Sequence, residues 1–378
     1  MLTRAERVVA ASAAVVALLG LTSAGAVENE RVTPVRDTAA VATPSPQRSA
    51  PAEAAPVVPE PAPVRTTTPP PPPPPPAGPL PAPPEPPQAG CPVPRRPGGF
   101  GPPKPLPPPA VADDQLPAPL APGPKATDLS AVQDRSVWVT NWPTTDLDIP
   151  GLVERARAAG LRSIWVRTGG SRQGYYGDTF LPRLVPAAHA AGLQVVAWDF
   201  PFLSDPVADA QRARAALDAG VDAIAPDVET EYEGTYATPR RVQLYLSLVR
   251  SYAGTRPIAA TVPRPTERRL ATFPYSAFPA YADLFVPMVY WSCHEPGTLV
   301  AESLHHLGAM LPVHPVGQGY DMGEEGGRPG LPTFAETWRF LDAAKRGGAV
   351  GASLWTIERL GPQQWEALRL YPWAQVTP

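Results

Sequence analysis

Two carboxylates stand two positions apart in the run Ala225-Pro226-Asp227-Val228-Glu229-Thr230-Glu231. Alternate side chains of a β-strand point to opposite faces, so in a strand Asp227 and Glu229 share one face. Neighbouring carboxyl groups raise one another's pKa, which keeps a Glu protonated near neutrality as a general acid. The plainer reading is a strand followed by an acidic loop, with Glu231 and Glu233 as solvated charges. Other segments offer groups that would suit such a centre: Trp198-Asp199, Tyr290-Trp291, Trp355, Arg167, Asn141-Trp142, and Gln318 with Tyr320 and Asp321. Aromatic faces around a cleft with carboxylates at its base suit stacking on sugar rings. Each aromatic taken singly is more often core than platform.

Other chemistries find little support. The five histidines include His305-His306 and His189 within helical patterns, where solvated or capping roles fit. No H-x-H, H-E-x-x-H or C-x-x-C occurs, so no metal or other cofactor is expected. Gly-x-Ser-x-Gly, the serine-hydrolase elbow, is also absent. Gly169-Gly170 and the stretch 323–330 read as loop glycines, the second as a candidate lid.

The elements that must position these groups are eight strand–helix pairs. Apolar runs at 137–142, 163–168, 194–200, 223–228, 258–262, 284–291, 313–317 and 350–357 alternate with helical patterns at 149–159, 181–191, 208–219, 239–253, 275–281, 299–311, 334–346 and 362–370. Gly160, Gly192, Gly220 and Gly254 stop the first four helices. The strands are continuous β-branched and aromatic runs, as when both faces are covered. Such alternation predicts a parallel sheet, and eight units in about 240 residues predict a (β/α)₈ barrel with its site at the C-terminal strand ends. An open doubly wound sheet is the alternative. It lacks its Gly-rich phosphate loop, since Trp142-Pro143-Thr144 follows the first strand.

In this setting Asp222-Ala-Ile-Ala-Pro-Asp227-Val-Glu229 resembles D-x-x-D-x-D-x-E, the strand-4 signature of glycoside hydrolase family 18, the chitinase-like enzymes, with Ala225 in place of the middle Asp. Met288-Val289-Tyr290 is similar to that family's strand-6 Met-x-Tyr, with Trp291 where Asp is usual, and Trp355 matches the Trp flooring the sugar site. The short Asp-x-Glu also resembles the muramidase-type lysozymes of family 25, although their early Asp-Val-Ser is missing. The resemblance implies Glu229 as general acid, Asp227 as its electrostatic partner, Tyr290 assisting an N-acetyl group of the substrate, and Trp355 stacking beneath the sugar. A two-carboxylate mechanism using Asp199 or Asp321 as the second group stays open. Trp291, Trp142, Arg167, Gln318, Tyr320 and Asp321 remain candidate substrate contacts.

Composition separates this part from the rest of the chain. Of 57 prolines among 378 residues, 35 lie between positions 31 and 130, where Phe100 is the one aromatic. Without aromatics a segment buries too little apolar surface to offset its ordering entropy. Residues 27–130 are therefore expected to be a disordered proline-rich linker ahead of a barrel at 131–378. The unbroken run Pro69 to Pro76 implies a stiff polyproline II spacer. Arg4 and Arg7, the apolar run from Val8 to Leu21, and Ala24-Gly25-Ala26 read as a signal peptide over 1–26, hence secretion or attachment at the cell surface or wall. Membrane attachment is expected only if that segment stays uncleaved. Cys91 and Cys293 either pair or remain free. The formal charge of −3, with no basic stripe, argues against nucleic acid. The expectation is an exported monomer that hydrolyses a cell-wall or N-acetylated polysaccharide, or a non-catalytic carbohydrate-binding barrel at the cell surface.

Overall fold

A computed structural model describes residues 106–140, 148–325 and 327–376. Eight parallel strands run in the order expected: β1 (Asp134–Val139), β2 (Ser163–Gly170), β3 (Gln194–Phe200), β4 (Ala223–Pro226), β5 (Ala259–Pro263), β6 (Leu284–Val289), β7 (Val316–Gln318) and β8 (Gly351–Trp355). Pairing follows β4-β3-β2-β1-β8-β7-β6-β5. Parallel bridges Ile224–Ile258 and Asp227–Thr261 join the two ends, so the sheet closes into a (β/α)₈ barrel. A two-residue strand, Gly174–Tyr175, adds only a hairpin on β2.

Helices α1 (Ile149–Ala158), α2 (Leu181–Ala190), α3 (Pro206–Asp218), α4 (Pro239–Ala253), α5 (Glu267–Thr272), α6 (Pro296–Leu307), α7 (Phe334–Arg346) and α8 (Pro362–Leu370) alternate with the strands. Their starts are encoded locally: Asp148, Asp205, Thr238, Thr266 and Thr333 accept backbone N–H bonds as N-caps. Gly160, Gly192, Gly220 and Gly254 follow the first four helices at φ between 60° and 89°, which a side chain would disfavour. The fifth helix lies earlier than expected. Thr266 starts it at Glu267, Pro274 and Pro279 prevent a regular helix over 275–281, and a single 3₁₀ turn, Tyr275–Ala277, remains there.

Two apolar layers follow from strand alternation. Val137, Val139, Ile164, Val166, Val195 and Ile224 lie under the helices. Trp138, Trp165, Val196, Trp198, Ala223, Ala225, Ala259, Leu284 and Val286 fill the lumen. The indoles are packed together: Trp138 lies 4.8 Å from Trp165, 5.6 Å from Trp198 and 5.5 Å from Trp355 between ring centroids. Their N–H groups are bonded to Ser353, Ser163 and the Val139 carbonyl. So much ring volume on one side requires small side chains opposite, and alanine stands at 223, 225 and 259.

The boundary of the tail is corrected. Residues 106–130, expected to be part of the disordered linker, form a strap across the helices. Leu116 is buried, and Arg241 donates to the carbonyls of Val111, Leu203 and Ser204. The Tyr236 hydroxyl donates to Pro107 O at 2.6 Å, and the Leu120 and Ala126 N–H groups bond Ser247 and Asp283. Proline content misled here because polyproline needs no internal hydrogen bonds and can borrow all its partners from a neighbour. The expected signal peptide, the Pro69–Pro76 run and Cys91 lie outside the described residues. Cys293 is disulfide-bonded, and Cys91 is the only other cysteine in the chain.

Candidate active site

A cleft of about 1660 Å³ opens at the C-terminal ends of the strands. Asp227 and Glu229 follow β4 on its lumen-facing register, above Ala223 and Ala225, and both line the cleft. Asp227 is paired across the barrel closure with Thr261 and anchored by its N–H to Asp199 O at 2.9 Å. Met288 and Tyr290 of the β6 end, Trp355 of the β8 end and Tyr320 after β7 line the same cleft. Tyr290 and Tyr320 meet edge to face at 5.6 Å.

The electrostatics suit acid chemistry. Burial pushes Asp227 up to about 7; Glu233 and Asp199 add to the effect and the Arg167 guanidinium opposes it. Burial also holds Glu229 well above the usual carboxylate range, reinforced by the Asp227 and Glu233 charges and opposed by Arg269. One Asp227 oxygen, Oδ1, is buried without a hydrogen-bond partner among the described residues. Burial raises the Tyr290 phenol far above its ordinary value, so it is a neutral donor beside the pair.

Ala225 has a packing reason. It pairs with Trp198 across the β3–β4 register inside the tryptophan-filled lumen. A carboxylate there would be stripped of water and faced with indole rings, a cost no neighbour offsets. Asp227 therefore has an apolar floor beneath it, which is also why burial dominates its shift.

The expected residues divide into two groups. Asp227, Glu229, Tyr290, Tyr320 and Trp355 are brought together at the cleft. Asp199 is not: it is 1% exposed, and both oxygens accept from Arg212 at 3.0 and 2.9 Å in a buried network with Asp209 and Ser171. A carboxylate so committed is not available as a second catalytic group. Asp321 is exposed, accepts from Gly323 N–H and does not line the cleft. Trp291 is fully buried against Phe340 at 5.4 Å, directed under the helices instead of into the lumen. Its neighbour Tyr290 takes the lumen side, as alternation demands. Gln318 is buried and structural, accepting from Ser292 N–H and donating to Tyr320 O. Arg167 lies over the Trp198 ring at 5.0 Å and acts on Asp227 through its charge. Asn141 and Trp142 lie outside the described residues. Gly169 sits where an added Cβ would come within 2.8 Å of Asp199 Oδ1, so it leaves room for that network. Thr261, Thr235, Arg264, Arg269, Tyr232, Tyr236 and Glu325 line the cleft without having stood out in the sequence. The signal for Thr261 was its place at the end of the fifth apolar run, where a polar residue in a lumen position is unusual. Among the described residues no cluster of three or more potential metal ligands occurs.

The strand order defines a (β/α)₈ barrel with a carboxylate pair after strand 4 in an aromatic-lined cleft. No protein-family model matches the chain, and no curated protein matches its sequence. Among solved structures, the chain is similar to the spore cortex-lytic enzyme SleL of Bacillus megaterium, with 11% identity, a TM-score of 0.47, and coverage of 62% of this chain and 73% of that one. It is similar to the chitinase RmChi1 of Rhizomucor miehei (14% identity, TM-score 0.47, 63% and 99%) and to a chitinase of Chromobacterium violaceum (10%, TM-score 0.48, 63% and 98%). These similarities are remote, and the fold assignment rests on the strand order itself.

Proposed function

We propose that the chain is an exported enzyme that hydrolyses glycosidic bonds of a polysaccharide. The observation that carries this reading is the meeting of Asp227, Glu229, Tyr290 and Trp355 in one open cleft. Glu229, raised and proton-bearing, gives its proton to the leaving oxygen. Asp227 beside it holds the developing positive charge of the sugar, and the neutral Tyr290 hydroxyl donates to a substrate oxygen. Trp355, backed by Trp138 and Trp198, offers a ring face to the sugar. Because Asp199 and Asp321 do not reach the cleft, the second carboxylate role falls to Asp227 or to the substrate's own N-acetyl group. The tail ahead of the strap is read as a signal peptide and spacer that carry the barrel to the cell surface or beyond it.

The test is Glu229→Gln assayed on a broad panel of wall and N-acetylated glycans. Hydrolysis should fall by about 10²–10⁴-fold with the melting temperature nearly unchanged. Equal turnover in variant and wild type, or none in the wild type across the panel, removes the enzyme reading and leaves a carbohydrate-binding barrel.

A further inference from the structure

Charge is unevenly spread round the cleft. The acidic groups Asp227, Glu229, Glu231 and Glu233 sit on the segment that follows β4. The next strand and helix contribute Thr261 of β5, Arg264 of the loop after it, and Arg268 and Arg269 of α5 to the lining. Arg264 is paired with Glu302 at 3.1 Å. For Arg268 and Arg269, no carboxylate lies within ion-pair distance among the described residues, and the one bond from the Arg269 guanidinium is a 3.5 Å contact to Arg264 O. Both arginines thus line the cleft outside any ion pair among the described residues, with the Arg269 charge opposing the rise of the Glu229 pKa. The hydroxyls of Thr261 and Thr235, residues 2% and 1% exposed that line the same cleft, have no hydrogen-bond partners among the described residues. A buried hydroxyl left unpaired is costly, so such groups are expected to find partners when the site is filled.

We infer that this side of the cleft is a subsite for a carboxylate-bearing sugar, so that the substrate is an acidic glycan. The proposal rests on the reading of the cleft as a glycan site and adds the substrate's charge. The guanidinium fork matches a carboxylate with two parallel bonds, while the threonine hydroxyls serve ring hydroxyls next to it. A singly charged carboxylate suits the position better than a nearly doubly charged phosphate ester, because Asp227 and Glu229, just after the adjoining strand, line the same cleft. The carboxylate could belong to a uronic acid or to a lactyl ether on an amino sugar, and the two are separated by the probes.

The experiment measures equilibrium binding to full-length protein carrying Glu229→Gln, so that no turnover interferes. Two probe pairs are used. One is an oligosaccharide alternating N-acetylglucosamine with glucuronate, against the same oligomer with its carboxyls reduced to alcohols. The other is an oligomer containing N-acetylmuramic acid, against the matching oligomer of N-acetylglucosamine. In at least one pair the acidic member should bind about tenfold more tightly. That preference should shrink at high salt and disappear in Arg268→Gln/Arg269→Gln. The pair that shows it names the source of the carboxylate. Equal affinity of acidic and neutral members in both pairs, or a preference that survives the double substitution, overturns the proposal. Absence of hydrolysis in the wild type, with the preference intact, counts against the enzyme reading alone.

Discussion

Asp227 carries most of the chemistry that the sequence could suggest and only packing could decide. Its carboxyl sits above an apolar floor of Ala225 and Trp198, and burial pushes it up to about 7 from an ordinary 3.8. The folded protein therefore binds a proton that the unfolded chain has already lost between those pH values. The associated stability is complete below about pH 3.8 and is lost as pH rises through about 7. Asp227→Asn cannot ionise, so its melting temperature should exceed the wild type's at pH 8 and lose that advantage at pH 4; parallel melting curves at both pH values would count against a buried, raised Asp227. Turnover should fall on the alkaline side of neutrality as the Asp227–Glu229 pair loses its protons. Ala225→Asp tests the floor directly. A carboxyl buried among indoles should cost on the order of 3 kcal/mol in a denaturant melt, and a variant as stable as wild type would refute the packing explanation.

At the scale of elements, the alternation of eight apolar runs with eight helical patterns was legible because caps, stop glycines and strand composition are local signals. Three features were not. The fifth helix shifted, because a threonine cap and two prolines outweighed an aromatic run whose residues are used for packing. Trp291 went under the helices and Asp199 into a buried ion network, since one residue of displacement along a strand decides between lumen and helix layer. The strap was missed because it is held to the barrel largely by partners more than ninety positions away, such as Ser204, Tyr236 and Arg241. Arg241 is 1% exposed and holds one carbonyl of the strap and two of the loop before α3. Arg241→Met should destabilise by roughly 3 kcal/mol, as three carbonyls lose a charged donor, and should speed protease cleavage near residues 106–116. Unchanged cleavage there would show that the strap does not depend on Arg241.

Among the described residues no helix is long and apolar enough to cross a membrane. If the first 26 residues are an export signal, protein recovered from the culture medium should begin at Val27 on N-terminal sequencing; a secreted chain still starting at Met1 would contradict this. By itself the sequence determined the repeat, the parallel barrel it implies and the Asp227–Glu229 pair at a strand end, because periodicity and strand alternation are properties of neighbouring residues. Only the tertiary structure decided which carboxylates share the cleft, why Ala225 stands beneath them, and that two arginines of α5 line the same space. Those outcomes depend on how closed strands divide their side chains between lumen and helix layer, and on which charges the packing leaves without a partner.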